Sequence, residues 1–94
     1  MPYVLIQHNV AKYAAFEPVF RDDEERRRRN GSKGGRLFQN IADPNHLFAL
    51  FEWDTVEDAK KFAESYELRE AVEWASDSNP PRVTVVEEII KTDA

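Results

Sequence analysis

The sequence predicts an α+β fold in which a four-stranded antiparallel sheet carries both of its helices on one face. Four segments rich in β-branched and aromatic residues alternate with two segments of helical periodicity, in the order β-α-β-β-α-β. That order is the ferredoxin-like split βαβ pattern. A chain of 94 residues has room for one modest core, so we expect a single domain over residues 1–94.

The third predicted strand, residues 47–53, is apolar at every position but one. Side chains alternate between the two faces of a strand, and here both sets are apolar. One face carries Leu47, Ala49, Phe51 and Trp53, and the other carries Phe48 and Leu50. Because both helices pack on one face, the other would leave a large apolar patch in water. We therefore expect a homodimer with two-fold symmetry through the open face.

The first strand, residues 3–9, is also apolar on both faces, and a helix is expected over residues 12–30. An apolar stripe at helical spacing opens that helix, namely Tyr13, Phe16, Val19 and Phe20. Pro18 leaves two alternatives open. Either the helix begins near Glu17 with Pro18 in its first turn, or the helix is kinked at Pro18.

The second half of this helix, residues 21–29, contains no apolar residue. Four acids at positions 22–25 each precede by four residues an arginine at positions 26–29, which is the favourable orientation for helical ion pairs. The acids offset the arginine run, so the pattern favours a solvated helix over a nucleic-acid patch. Asn30 and Gly31 provide the helix end.

The second strand is expected over residues 36–42 and turns at residues 43–46 into the third, which makes an antiparallel hairpin. The next helix opens with a capping box at Asp54 or at Thr55, and Ser65 is expected to cap a second segment. The apolar stripe of that segment is Leu68, Ala71, Val72 and Ala75. The last strand is expected over residues 82–90, with a frayed tail over 91–94.

From the right-handed crossover rule we predict that the first and third strands lie side by side and run parallel. Their C-terminal ends then share one edge of the sheet, with His8 and Asn9 beside Glu52 and Trp53. On this prediction His8 and Glu52 approach each other, and the carboxylate orients the imidazole as a general base. A structural pair or a dimer contact is the alternative.

Composition excludes several classes of protein. A net charge of −5 argues against nucleic acid and anionic lipid as main partners. The absence of cysteine suits a reducing cytoplasm, the start of the chain lacks the pattern of a signal peptide, and no apolar run reaches the ~20 residues of a membrane span. Two histidines without metal-ligand spacing predict no metal site.

Several motifs together resemble the dimeric α+β barrel superfamily, and within it the antibiotic biosynthesis monooxygenase-like domains. They are residues 7–10 with Tyr13 and Phe16, residues 31–38, 43–45 and 50–53, and Ala59, Phe62, Ala63 and residues 68–71. The resemblance implies a homodimer and, in some relatives, oxidation of polycyclic phenols without metal or flavin. Other relatives degrade haem with a histidine after the third strand. Residues 57–75 contain no histidine, so no cofactor is expected.

A cofactor-independent monooxygenase of this kind needs a base and aromatic walls around a small aromatic or polyketide-like substrate. The predicted catalytic residues are His8 as base and Glu52 as its orienter. The predicted substrate-binding residues are Gln7, Asn9, Gln39, Phe51, Trp53, Tyr66 and Trp74. Gln7 and Gln39 either line a cavity or face water. A non-catalytic dimeric module that binds a small ligand or serves a stress response is the alternative function.

Overall fold

Four strands form one antiparallel sheet in the order β2-β3-β1-β4. The computed structural model describes the backbone of residues 1–73 and 81–94 and the side chains of residues 1–66 and 81–94. The strands are β1 (Pro2–Asn9), β2 (Ser32–Asn40), β3 (Asp43–Trp53) and β4 (Arg82–Glu87). The predicted ferredoxin-like α+β fold is confirmed.

The first predicted helix is divided into α1 (Tyr13–Asp22) and α2 (Glu24–Arg29), with a break at Asp23. Pro18 lies inside α1, so the predicted start near Glu17 is wrong. Helix α3 (Val56–Glu73) continues through Ser65, where a second segment was predicted. Thr55 caps α3 because its hydroxyl accepts the Asp58 N–H at 3.1 Å.

Several strand boundaries differ from the predicted ones. Strand β2 begins at Ser32 rather than residue 36, and the hairpin turn lies at residues 41–42 rather than 43–46. Strand β4 ends at Glu87, and Ile89 and Ile90 beyond it are exposed. Residues 88–94 have no helix or strand, which agrees with an irregular tail.

The predicted parallel pairing of β1 and β3 is wrong. Their register is antiparallel, with Tyr3 opposite Glu52 and His8 opposite Leu47. The helical crossover joins β1 to β2, and it is those two strands that run in the same direction. Strand β3 returns from β2 through a tight hairpin and lies between them, so β3 runs opposite to both neighbours.

The helices cover one face of the sheet, which holds the core. Val4, Ile6, Phe51 and Trp53 from the strands pack there with side chains of α3, among them Phe62. A second buried cluster joins Val10 and Leu47 to Phe16 of α1.

The opposite side of the sheet, which we name the open face, carries the other alternating set of residues. Its apolar members are Tyr3, Leu5, Phe38, Phe48, Leu50 and Val86. Leu5 is 40% exposed and Phe38 50% exposed. Among the described residues, no helix is long and apolar enough to cross a membrane.

Candidate functional site: a cationic cleft between α1, α2 and β2

A cleft of about 480 Å³ lies beside the core, between the first two helices and edge strand β2. We name it the α1–β2 cleft. Its apolar and aromatic lining comes from Tyr13, Phe20, Leu37, Phe38, Leu47 and Phe51. Asn45 fixes the start of α1 at one end, since its side-chain oxygen accepts the Tyr13 N–H at 3.0 Å. A volume of this size suits a small aromatic molecule.

Phe51 reaches the cleft because its neighbour on β2 is a glycine. A Cβ atom on Gly35 would lie 2.5 Å from Cδ1 and 2.8 Å from Cε1 of the Phe51 ring. Phe51 is buried and stacks on Phe20 with 5.8 Å between ring centroids, so the ring has little room to move. Gly35 therefore keeps Phe51 in place on the cleft wall.

Replacing Gly35 by alanine is expected to lower the free energy of unfolding by about 1–3 kcal/mol, because the added methyl overpacks the Phe51 ring. Urea unfolding followed by circular dichroism measures this loss. Lys33→Ala in the same strand is the control, since Lys33 is exposed and its ion pair with Asp54 contributes little. Equal stability of the Gly35 and Lys33 variants would show that the ring moves aside freely.

Arg27 is the only arginine among the described residues that is buried, with 8% of its surface exposed. Its guanidinium carbon lies 4.4 Å from the ring centroid of Phe20 and 4.8 Å from that of Phe51. Nη1 donates a hydrogen bond to the Phe20 carbonyl at 3.1 Å. Burial lowers the pKa of Arg27, against opposing effects of Asp23 and Glu24, but a guanidinium keeps its charge at neutral pH.

The other cationic residues of the cleft lie at its rim and are neutralised by carboxylates. Arg21 pairs with Glu17 at 2.8 Å, and this hydrogen bond raises the pKa of Arg21. The remaining rim pairs are Arg28 with Glu24 and Glu25 at 3.2 and 3.0 Å, and Lys33 with Asp54 at 3.0 Å. Arg27 has no ion pair with any carboxylate of the described residues.

His8 lies in the core under α1 and α3, not at the cleft. It is 3% exposed, and its Nδ1 is 3.2 Å from the hydroxyl of Tyr66. Its ring makes edge contacts with Phe16 and Tyr66 at 6.0 and 6.2 Å between centroids. His8 thus belongs to a buried polar pair that joins β1 to α3.

The predicted approach of His8 and Glu52 is wrong. Antiparallel pairing puts Glu52 opposite Tyr3, five positions from His8 along β1 and so roughly 17 Å away along the strand. His8 points to the helices, whereas Glu52 is on the open face. Glu52 lines a depression of about 570 Å³ there with Tyr3, Arg36 and Val86.

Two other predicted site residues also lie on the open face. Gln7 is hydrogen-bonded to Nε2 of His46 at 2.9 Å, and Asn40 is bonded to Nδ1 of the same ring at 3.0 Å. Asn9 is exposed at the end of β1, opposite His46. These side chains form a polar margin to the apolar open face.

The remaining predicted site residues divide between the cleft and the core. Phe51 and Gln39 line the cleft, and Gln39 donates to the Pro44 carbonyl at 3.0 Å. Trp53 and Tyr66 are buried in the core. Trp74 lies outside the described residues. In the part of the chain that is described, no group of three or more histidines and acids has the geometry to hold a metal ion.

Sequence reasoning missed Arg27, and the prediction that its whole segment is solvated is wrong at this position. The signal was present in the spacing. Phe16, Phe20 and Arg27 follow one another at intervals of four and seven, which would put them on one face of the continuous helix predicted there. A basic residue that continues an apolar stripe is a candidate for burial along its stem.

Comparison with solved structures places this architecture among known proteins. The solved structure of a "putative antibiotic biosynthesis monooxygenase" from Nitrosomonas europaea superimposes with a TM-score of 0.72 at 19% identity, covering 96% of this chain and 100% of that one. The chain has the antibiotic biosynthesis monooxygenase-like fold. A protein of the same description from Deinococcus radiodurans gives a TM-score of 0.73 at 11% identity, covering 100% of this chain and 98% of that one. The resemblance drawn from the sequence motifs is confirmed at the level of the fold.

Sequence comparison adds one relative. A protein of Haloquadratum walsbyi named "Putative heme-binding protein" is 40% identical over 55 residues, which are 56% of this chain and 10% of that protein. The chain thus matches only about a tenth of the length of that relative. No protein-family model matches the chain.

Proposed function

We propose that this protein with the monooxygenase-like fold is a homodimer that oxidises a small aromatic substrate without a cofactor, and that the substrate lies in the α1–β2 cleft. The observation that carries the proposal is the cleft itself, where the Arg27 guanidinium lies over two aromatic rings and has no ion-pair partner in the described part of the chain. The cleft also adjoins the open face, because Phe38 of edge strand β2 belongs to both. That position supports a substrate cavity near the dimer interface.

Oxidation without a cofactor requires a phenol that ionises in the site. A phenolate is electron-rich enough to react with oxygen, and a buried guanidinium favours the ionised form by electrostatic attraction. One oxygen atom is added to the ring, and the second leaves as water with the phenol hydrogen and the displaced ring hydrogen, which yields a quinone. Arg27 would hold the developing negative charge throughout.

Oxygen uptake tests this proposal. With 1-naphthol as the first of a panel of phenols, we expect enzyme-dependent oxygen consumption and one 1,4-naphthoquinone per oxygen molecule. Gln39→Trp places a large ring at the exposed wall of the cleft and is expected to lower kcat/KM about tenfold. Lys60→Trp, an exposed position on α3, is the control and should leave the rate unchanged. Equal rates for both variants would remove the cleft from the reaction.

His8 remains the predicted base, and Glu52 is withdrawn as its orienter. His8 does not line the α1–β2 cleft. Its partner Tyr66 does not line the cleft either, so a base role for His8 requires a proton relay that extends beyond the Tyr66 hydroxyl to the cleft. His8→Gln in the same oxygen assay decides this, since an unchanged kcat would assign His8 to structure alone.

The second candidate function is a non-catalytic dimeric module that binds a small aromatic ligand. It is favoured by the lining of the cleft, where the described carboxylates Glu17 and Glu24 are both held in ion pairs. Neither is poised as a general base. Binding of aromatic molecules without oxygen uptake would select this function.

Haem is not inferred as the ligand, although one relative is named for it. The imidazole of His46 has both ring nitrogens engaged by Gln7 and Asn40. The imidazole of His8 is buried and bonded to Tyr66. Neither ring lines the cleft, so neither histidine fits the role of an axial haem ligand there.

A cytoplasmic location of the protein stays a prediction.

A further inference from the structure

Arg27 differs from the other cationic residues of the cleft in its ion pairing. Of the four cationic residues that line the α1–β2 cleft, Arg21, Arg28 and Lys33 have carboxylate partners among the described residues. Arg27 has none there, although it is the most buried of the four. Burying a charge without a paired counter-charge is costly, and within the described residues Arg27 is a buried cation beside an open cleft with no carboxylate paired to it.

The geometry of the guanidinium leaves donors available. Its carbon lies over the rings of Phe20 and Phe51, and Nη1 gives one hydrogen bond to the Phe20 carbonyl. A guanidinium has five N–H donors that lie in its plane. One hydrogen bond within the described residues leaves other N–H groups for a ligand. A carboxylate fits such a fork with two parallel hydrogen bonds.

The lining of the cleft favours a carboxylate that is attached to an aromatic ring. Tyr13 and Leu37 are half-buried at the cleft, and Phe38 is half-exposed at its edge. These side chains give the cleft apolar surface, which a planar ring covers well. We propose that the α1–β2 cleft is specific for aromatic carboxylates, with Arg27 as the residue that binds the carboxylate. This inference rests on the proposed function for the location of the ligand.

The test compares a carboxylate with its neutral amide. Calorimetry under nitrogen measures binding of 1-hydroxy-2-naphthoate and of 1-hydroxy-2-naphthamide to the wild-type chain of residues 1–94. We expect the carboxylate to bind about tenfold or more tightly than the amide, because the two ligands differ in the charge offered to Arg27. Equal affinities, or no binding of the carboxylate at millimolar concentration, would overturn the inference.

Variants then locate the effect. Arg27→Met is expected to remove the preference for the carboxylate while leaving binding of the amide within about twofold. Arg27→Lys keeps the charge without the planar fork, so its preference should be intermediate. It also gives a readable result if the methionine variant fails to fold. Arg29→Met changes an exposed arginine of α2 outside the cleft and should retain the full preference. If Arg29→Met lost as much of the preference for the carboxylate over the amide as Arg27→Met does, a specific site at Arg27 would be contradicted.

The two proposals fail separately. Oxidation of uncharged 1-naphthol without a preference for the carboxylate would leave the proposed activity standing and overturn the inference. A carboxylate preference that depends on Arg27, without oxygen uptake, would support the inference and leave the second candidate function.

Discussion

Trp53→Ala is expected to lower the free energy of unfolding by about 3–5 kcal/mol. Trp53 is 0% exposed and lies at the end of β3, where its ring centroid is 4.9 Å from that of Phe62 on α3. Removing the indole leaves a cavity between sheet and helix that the surroundings cannot fill. Since small domains have only about 5–15 kcal/mol of stability in total, this loss is a large part of it.

Urea unfolding monitored by far-ultraviolet circular dichroism measures the change. Trp53→Phe is expected to cost less, because most of the ring volume is kept and Nε1 has no hydrogen-bond partner among the described residues. Val56→Ala is the control, since Val56 is 47% exposed at the start of α3. A loss below about 1 kcal/mol in Trp53→Ala would mean that this end of the core is loosely packed.

The fold was predictable because its signals are local. Alternating apolar residues marked the strands, and Thr55 with Asp58 marked the start of α3 three residues apart. The hairpin between β2 and β3 followed from a short turn between two strand patterns, although the turn lies two residues earlier than expected. Boundaries failed where propensity is weak, as in the glycine-rich start of β2.

The candidate site was less predictable because it depends on strand direction and on one buried charge. A wrong direction for β3 moved Glu52 to the end of the sheet at which His8 lies, and that error created the predicted catalytic pair. Arg27 was hidden in a run of four arginines whose other members are half-buried or exposed. Its spacing from Phe16 and Phe20 sets it apart in the sequence, and in the fold it lies over the rings of Phe20 and Phe51.

Leu5→Asp is expected to convert the protein from a dimer to a monomer. The open face carries apolar side chains on all four strands, and the described part of this chain leaves Leu5 40% and Phe38 50% exposed. Two such faces packed by two-fold symmetry would cover each other. Each dimer would then bury two new carboxylates, at a cost of about 3–6 kcal/mol, or roughly 10² to 10⁴-fold in the dimer dissociation constant.

Light scattering after gel filtration measures the result. The wild type should have twice the chain mass of 10.9 kDa, and the Leu5 variant should have the mass of one chain at micromolar concentration while its circular dichroism spectrum is unchanged. Val19→Asp is the matched control, because Val19 is 42% exposed but lies on α1, on the other side of the sheet. A dimer that survives Leu5→Asp and is lost in Val19→Asp would place the interface on the helices. The α1–β2 cleft would then lie at that interface instead of at the edge of the open face.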